Sequence, residues 1–430
     1  MQVNQKDRVM EQMMRRYPVG IQTFERIIKE GFIYVDKTDL VWQMAHYATF
    51  VFLSRPRRFG KSLLTSTLDS YFKGERELFE GLKIMSLEKE WTRYPVLHLD
   101  LSVAKGQEDA EGLRETLMWM LKPLTDVYGR ENDETTPGKL LTGLIHRAKE
   151  KTGKQVAVII DEYDAPLLDV LHSQATLDAM RKVMQEFYVP LKANEAFIKF
   201  CFITGITKFS QLIVSSSFNC YVDVSMLPCF ATICGFTEQE VQTVFKEDIE
   251  AMSKGFKLKP QEMYSKIKLR YDGYHFADGT VALFNPFSLL NALNDCQLRN
   301  YWDTSGIPGF LIQQTQHFNF NSTSLDSLEL PESAFYQPLE NINNSLLLLY
   351  QYGFLTIKDY DCETETYELF VPNQEVGDTA RHALEQIEAR GYAKPYLTDG
   401  RKVVKVGIRF NADKHTVDEW EVEECHKDSL

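Results

Sequence analysis

The stretch SRPRRFGKS, Ser54 to Ser62, ends in the Gly-Lys-Ser of a phosphate-binding loop. The usual pattern is G-x-x-x-x-G-K-[ST], and here Arg55 stands where the first glycine should be. Gly60 would let the backbone turn sharply into a helix, so that amide groups and the helix dipole point at phosphate oxygens. Lys61 would lie along the β- and γ-phosphates of a nucleotide, and the Ser62 hydroxyl would bind Mg2+. Arg55 cannot cheaply adopt a left-handed turn, and Pro56 fixes one φ angle and removes one N–H donor, so the loop must begin differently from a standard one. The arginines Arg55, Arg57 and Arg58 either replace the lost amide contacts with charge-assisted ones to phosphate, or Arg57 and Arg58 face solvent and acidic neighbours.

A lone Gly-Lys-Ser is common by chance, so a second element is needed. VAVIIDEYD supplies it, because an apolar run leads into Asp161 and Glu162 at the C-terminal end of a buried strand, the Walker B arrangement. Asp161 would hold Mg2+ through water, and Glu162 would orient or deprotonate an attacking water. A third run, FIKFCFITG, ends in Thr204, a candidate sensor of the γ-phosphate in the P-loop branch that carries an extra strand between its two Walker motifs. YPVLHLDLS is the candidate for that extra strand. The plainer reading of Thr204 is a strand end.

These residues need a scaffold, and the chain supplies one. Strand-length apolar runs at Thr49–Ser54, Pro95–Leu101, Val156–Ile160 and Phe197–Thr204 alternate with helical patterns, each run apolar on both faces. That is the signature of a parallel sheet covered on both sides, an α/β domain over residues 18–235 after an N-terminal tail, 1–17. After Gly235 the texture changes. Thr237 and Glu240 form a capping-box pattern, and helical periodicity continues through Lys268. Residues 318–333, rich in Asn and Ser, read as a linker that closes a helical lid region, 236–333. NINNSLLLLYQYGFLTI and DYDCETETYELFVPN then read as a helix, a glycine turn and two strands, a small winged-helix-like unit over 334–376. No internal repeat or low-complexity tract is present.

Composition agrees with a globular chain, 430 residues with 44 % apolar and 25 % charged. The net charge of −13 argues against a surface built for long non-specific nucleic-acid contacts. The seven cysteines are odd in number and lack C-x-x-C spacing, which fits reduced, mostly buried thiols. The N-terminal stretch has no apolar signal core, and no apolar run is long enough to span a bilayer, so the expected location is the cytoplasm, without membrane contact.

Several ordered motifs together carry a resemblance. YPVGIQTFERIIKEGFIYVDKT, FLSRPRRFGKSLL, VLHLDLS, IIDEYDAPL, FITGITKFS, YDGYHF and FNPFSLLNAL resemble the AAA-ATPase-like family found in Bacteroidetes and related bacteria, over nearly all of residues 18–315. The resemblance implies a P-loop ATPase-like domain and, usually, a C-terminal domain of the PD-(D/E)XK nuclease superfamily. It also makes Arg55-Pro56-Arg57-Arg58-Phe59 the family's own form of the loop. Nucleotide contacts are then expected from Arg55, Arg57, Arg58, Phe59, Gly60, Lys61, Ser62 and Leu63, metal contacts from Ser62 and Asp161, and catalytic roles from Glu162 and Thr204. The segment YVDKT, with Asp36 and Lys37, packs against the nucleotide or the sheet edge on this resemblance, against a plainer capping role. In YDGYHF, His275 either reaches the nucleotide or belongs to a packed corner with Asp272 and Tyr274. YWDTSGIPGFL matches another of the family's elements, to which the residues assign no role.

The nuclease half needs an acidic residue on one strand and E-x-K on the next to hold Mg2+. No E-x-K tripeptide occurs anywhere in the chain. The sequence passes from ELFVPNQEV straight to GDTARHALEQIEARGYAKPY and RKVVKVGIRF, so residues 377–430 read as a nuclease remnant without its metal-binding core. A helix over 378–391 has an apolar face at Ala380, Ala383, Leu384 and Ile387 that needs a surface to pack on. The sequence thus implies an Mg2+-dependent ATP-binding protein, a slow ATPase acting as a conformational switch. The alternatives are a nucleotide-gated module that binds DNA or a protein, and the regulatory half of a nuclease that lacks its core. Residues 341–351 carry no Lys or Arg, so a recognition helix there would lack phosphate anchors.

Overall fold

The computed structural model describes residues 15–171, 173–208, 220–302, 328–336, 345–378, 403–411 and 416–425. Two compact units make up the chain: the residues up to Cys234 with Phe335–Ile342, and Gly235–Ala334 with the residues from Asn343 onward.

In the first unit, helix α1 (Thr38–Tyr47) leads into β1 (Phe50–Ser54), and α2 (Lys61–Phe72) follows it. Then come β2 (Val96–Asp100), α3 (Ala110–Tyr128), α4 (Pro137–Thr152), β3 (Val156–Asp161), α5 (Gln174–Ala193), β4 (Ile198–Gly205) and β5 (Val222–Asp223). The five strands form one sheet in the order β2-β3-β4-β1-β5, and every neighbouring pair is parallel. Local chemistry sets the helix starts. Asp109 caps α3 through Gly112 N–H, and Thr136 caps α4 through Lys139 N–H with Pro137 at the first helical position.

The doubly covered parallel sheet is the one the apolar runs predict, and β3 is buried at all six positions. Two details differ. β2 alternates between buried and half-buried residues, because it lies at the sheet edge, where His98 reaches toward Asp69 of α2. The strand that separates β1 from β3 is also β4, not the run at Pro95–Leu101. That run falls between the two motifs in sequence, but its strand pairs outside β3. Parallel pairing brings all five C-terminal ends to one edge, with Asp100 opposite Asp161, Ser54 opposite Gly205 and Phe52 opposite Asp223. Ligands of open α/β sheets bind at that edge.

The second unit opens with β6 (Phe236–Thr237), which pairs with β7 (Leu283–Phe284). Thr237 and Glu240 form the capping box read from the sequence and start α6 (Glu238–Val244). The helical periodicity expected through Lys268 takes the form of three helices, α6, α7 (Lys246–Gly255) and α8 (Pro260–Tyr271), and α9 (Pro286–Asp295) follows β7. Part of the expected linker is a strand, β8 (Glu329–Pro331). It pairs with β10 (Thr366–Phe370), which also pairs with β9 (Thr356–Asp361), after α10 (Ser345–Tyr352) and a left-handed Gly353. The helix, glycine turn and two strands read from the sequence are all present. Residues 318–327 and the apolar face of the expected helix 378–391 lie outside the described residues, as does most of YWDTSGIPGFL. An antiparallel hairpin of β11 (Val403–Asn411) and β12 (Thr416–Cys425) ends the described chain.

A polar cluster lies inside this unit. The Glu375 side chain is fully buried, and its Oε1 accepts the N–H groups of Tyr301 (2.6 Å) and Trp302 (3.1 Å). Burial pushes its carboxyl up to about 7, against those hydrogen bonds. Asp272 is pushed up to about 6, also by burial. Gly273, between Asp272 and Tyr274, must be glycine, since its φ is +103° and a Cβ would fall 2.0 Å from the Pro372 carbonyl oxygen. His275 is held by Thr356 and by the Thr280 carbonyl, so it belongs to a packed corner.

Among the described residues no helix is long and apolar enough to cross a membrane. Among the described residues six cysteines are free, of which Cys201 and Cys234 are buried while Cys229, Cys296 and Cys362 are exposed.

Candidate nucleotide site

The loop between β1 and α2 turns by two left-handed residues, Arg58 (φ +67°) and Gly60 (φ +88°). A Cβ on Gly60 would meet nothing within 4 Å, so its requirement is conformational rather than steric. Arg55 keeps an ordinary φ, which is why this position needs no glycine.

The Arg55 side chain is 2 % exposed and points into the fold. Its guanidinium donates to the carbonyls of Ser54 (2.9 Å), Ser225 (2.7 Å), Phe230 (3.1 Å) and Ala231 (3.5 Å). The expected contact of Arg55 with phosphate therefore gives way to a different role, in which a planar fork of donors ties the loop's first residue to the chain after β5. Ser225 adds to the same knot, its hydroxyl accepting Ser54 N–H at 2.8 Å. Phe59 is buried in the core, so only its backbone belongs to the loop. Arg57, Arg58 and Leu63 are half-buried around the turn.

Helix α2 begins at Gly60 with no side-chain cap and no acidic residue in its first turn. Its first amide groups are thus left for an anion. Lys61, 7 % exposed, donates to the carbonyls of Arg55 and Pro56, both at 3.0 Å. Burial lowers its pKa, while Asp161, Glu162 and Asp164, in that order, oppose the shift. Next to it, Ser62 lies beside Asp161 and favours its charged form, and the Thr65 hydroxyl donates to the same carboxylate at 3.5 Å. Asp161 is 3 % exposed; burial raises its pKa, with Ser62 and then Lys61 holding it down.

Glu162 follows at the strand end with a left-handed backbone, φ +47°. Its carboxylate is ion-paired with Lys105, from the loop after β2. Thr204 is not arranged as expected. It is fully buried, and its hydroxyl donates to the Leu53 carbonyl of β1 at 2.7 Å, so it knits the two strands and offers no proton to a ligand.

Asp164, which sequence reasoning left without a role, does more at this edge. One of its oxygens accepts Ile206 N–H (2.9 Å), Thr207 N–H (2.8 Å) and the Thr207 hydroxyl (2.9 Å). The end of β4 is thereby fastened to the segment that follows Asp161 and Glu162. Gly205 has to be glycine, since a Cβ there would lie 2.5 Å from the Tyr163 ring and 2.6 Å from Asp164. The DEYD string contains the signal for Asp164, but nothing in sequence marks Lys105 as the partner of Glu162. In YVDKT, Asp36 takes the plainer role: it accepts Thr38 N–H and hydroxyl at the start of α1, and Lys83 N–H.

Lys61, Ser62, Asp161 and Glu162 are thus brought together by β1, β3 and the first turn of α2, while Arg55 and Thr204 are turned into the fold. A family model described as predicted AAA-ATPase matches residues 18–215, and one described as PD-(D/E)XK nuclease superfamily matches residues 367–420. The second match spans β10 to β12, yet holds no E-x-K tripeptide. An uncharacterized protein from the vnfD 5' region of Azotobacter chroococcum mcd 1 is 30 % identical over 378 residues, 86 % of this chain and 70 % of that protein. The Aeropyrum pernix ORC2 protein, solved in ADPNP–ADP complexes, is 12 % identical with a TM-score of 0.30, over 85 % of this chain and 98 % of that one. At that level the likeness says nothing of function. On the matched domains and the relative that shares most of its length, the chain belongs to the predicted AAA-ATPase-like family, with a C-terminal segment of the PD-(D/E)XK nuclease superfamily.

Proposed function

We propose that this protein binds ATP with Mg2+ and hydrolyses it slowly, the bound nucleotide acting as a conformational switch in the cytoplasm. The observation that carries the reading is buried Lys61 beside the buried Asp161 carboxylate, which also accepts the Thr65 hydroxyl, at the uncapped start of α2. The first amides of α2 and the Lys61 ammonium suit the β- and γ-phosphates. Ser62 and Asp161 offer oxygen donors of the kind Mg2+ takes together with phosphates and water, and they would hold it. Bound there, the ion would offset phosphate charge. Glu162 would take the proton of the attacking water. Arg55 and Asp164 would act earlier, by fixing the loop and the segment that carries Glu162.

ATP binding and hydrolysis with Mg2+ test the reading on wild type, Lys61→Ala and Glu162→Gln. Turnover by wild type, loss of binding in Lys61→Ala, and binding without turnover in Glu162→Gln are expected. A Lys61→Ala protein that binds ATP as wild type does would overturn the site. A DNA affinity that falls steeply with salt would favour the binding-module reading instead. The absence of Lys and Arg from α10 argues against that outcome.

A further inference from the structure

Glu162 has one carboxylate oxygen already engaged. Lys105 donates to Oε2 across 57 residues of sequence, and its position is set from two sides. Upstream, Asp100 at the end of β2 accepts Ser102 N–H (2.9 Å), which starts the helical turn Leu101–Ala104 just before Lys105. Downstream, Gly106 N–H donates to Asp169 Oδ2 (3.2 Å), beyond the Walker B segment. Asp100 is the register partner of Asp161, so the loop that bears Lys105 leaves the sheet directly beside the strand that bears Glu162. Glu162 itself holds a left-handed φ of +47°, a backbone state that non-glycine residues keep only where the surroundings impose it, often in switch segments.

We propose that Lys105 is a positioning residue that restrains Glu162 and so holds down the rate of ATP hydrolysis, an inference that rests on the ATPase reading above. In the step concerned, the water oxygen forms a bond to the γ-phosphorus. The bond from that phosphorus to the β,γ-bridging oxygen breaks, and the bridging oxygen leaves with its electron pair on ADP. The water's proton passes to a Glu162 carboxylate oxygen. An ammonium donating to Oε2 occupies a lone pair that would receive this proton and fixes the direction the carboxylate faces. The Lys105 and Glu162 side chains are 42 % and 30 % exposed, so the restraint is that of a surface ion pair. Pairs of this kind shift a population about fivefold at most, which bounds the effect.

The test is steady-state ATP hydrolysis by the full chain as wild type, Lys105→Ala, Lys105→Arg and Glu162→Gln, each checked for an unchanged melting temperature. Lys105→Ala is expected to raise kcat about two- to fivefold with KM unchanged, and Lys105→Arg to stay near wild type because it keeps the pair. Raising KCl should screen the pair, speeding wild type at saturating ATP while leaving Lys105→Ala flat. A wild type that hydrolyses ATP, is stalled by Glu162→Gln and is not accelerated by Lys105→Ala overturns the restraint alone. A wild type that binds no ATP overturns the site reading and the restraint with it.

Discussion

Arg55 and Ser225 lie 170 residues apart in sequence and are joined by a 2.7 Å hydrogen bond from guanidinium to carbonyl. This bond and its companions explain how the loop does without its first glycine, and they yield a counter-intuitive expectation. Arg55→Gly restores the common loop pattern but strips donors from buried carbonyls, and should destabilise the first unit by about 3 kcal/mol or more. Arg55→Lys, a single point of charge without the fork, should rescue only part of that. Chemical denaturation measures both. A glycine variant as stable as wild type would remove Arg55 from the loop's framework.

Thr204 separates two readings by the size of one effect. A hydroxyl that donates to the Leu53 carbonyl within the sheet contributes about 1 kcal/mol of stability and little to chemistry. Thr204→Val should therefore lower stability by that amount and leave kcat within about threefold. A loss of two orders of magnitude in kcat, of the size seen when a transition-state donor is removed, would restore the sensor role.

Asp164 offers the opposite case, a residue outside the usual motifs with a large expected effect. Asp164→Ala leaves the buried N–H groups of Ile206 and Thr207 without an acceptor, at a cost of about 2–4 kcal/mol. Because the same contacts hold the segment after Glu162, hydrolysis should fall well before ATP binding does. Calorimetric binding beside a turnover assay reads the two separately, and equal losses in both would count against this positioning role.

The second unit should respond to pH. Glu375 titrates near 7 when folded and near 4.5 when unfolded, so between those values the folded chain keeps a proton that the unfolded chain releases. The contribution to stability is full below about pH 4.5 and is lost as pH rises to about 7, roughly 3 kcal/mol in all. Asp272, raised to about 6, adds in the same direction over a lower range. Melting followed by a probe in residues 235–302 should show the unit weakening from pH 5 to 8. Glu375→Gln should flatten most of that slope, and a slope unchanged by the substitution would contradict the assignment.

How far these residues could be read in advance depends on what fixes each one. β1, β3 and β4 were legible because central parallel strands are apolar throughout, and Lys61, Ser62, Asp161 and Glu162 because each sits at a fixed offset from such a strand. Thr204 lies at an equally recognisable strand end, yet the direction of its hydroxyl depends on β1 being its neighbour, and pairing order is not written in local pattern. The same gap hid the place of β2 at the sheet edge. Arg55 looks like any surface arginine until the chain after β5 comes round to meet it. Lys105 has no local signal at all, since its partner is determined by the parallel register of β2 and β3.

The place of β1 between β4 and β5 also governs how the protein can be made. The strand that carries the phosphate loop forms no pair until β4 exists, and Leu53 and Thr204 are 151 residues apart. At synthesis rates of about 5–20 residues per second, β1 waits roughly 8–30 s on the ribosome with its apolar residues unpaired. β2 and β3 can join each other earlier, so the nascent chain holds half a sheet with one edge open. A nascent chain in that interval is the form in which this protein most needs a chaperone.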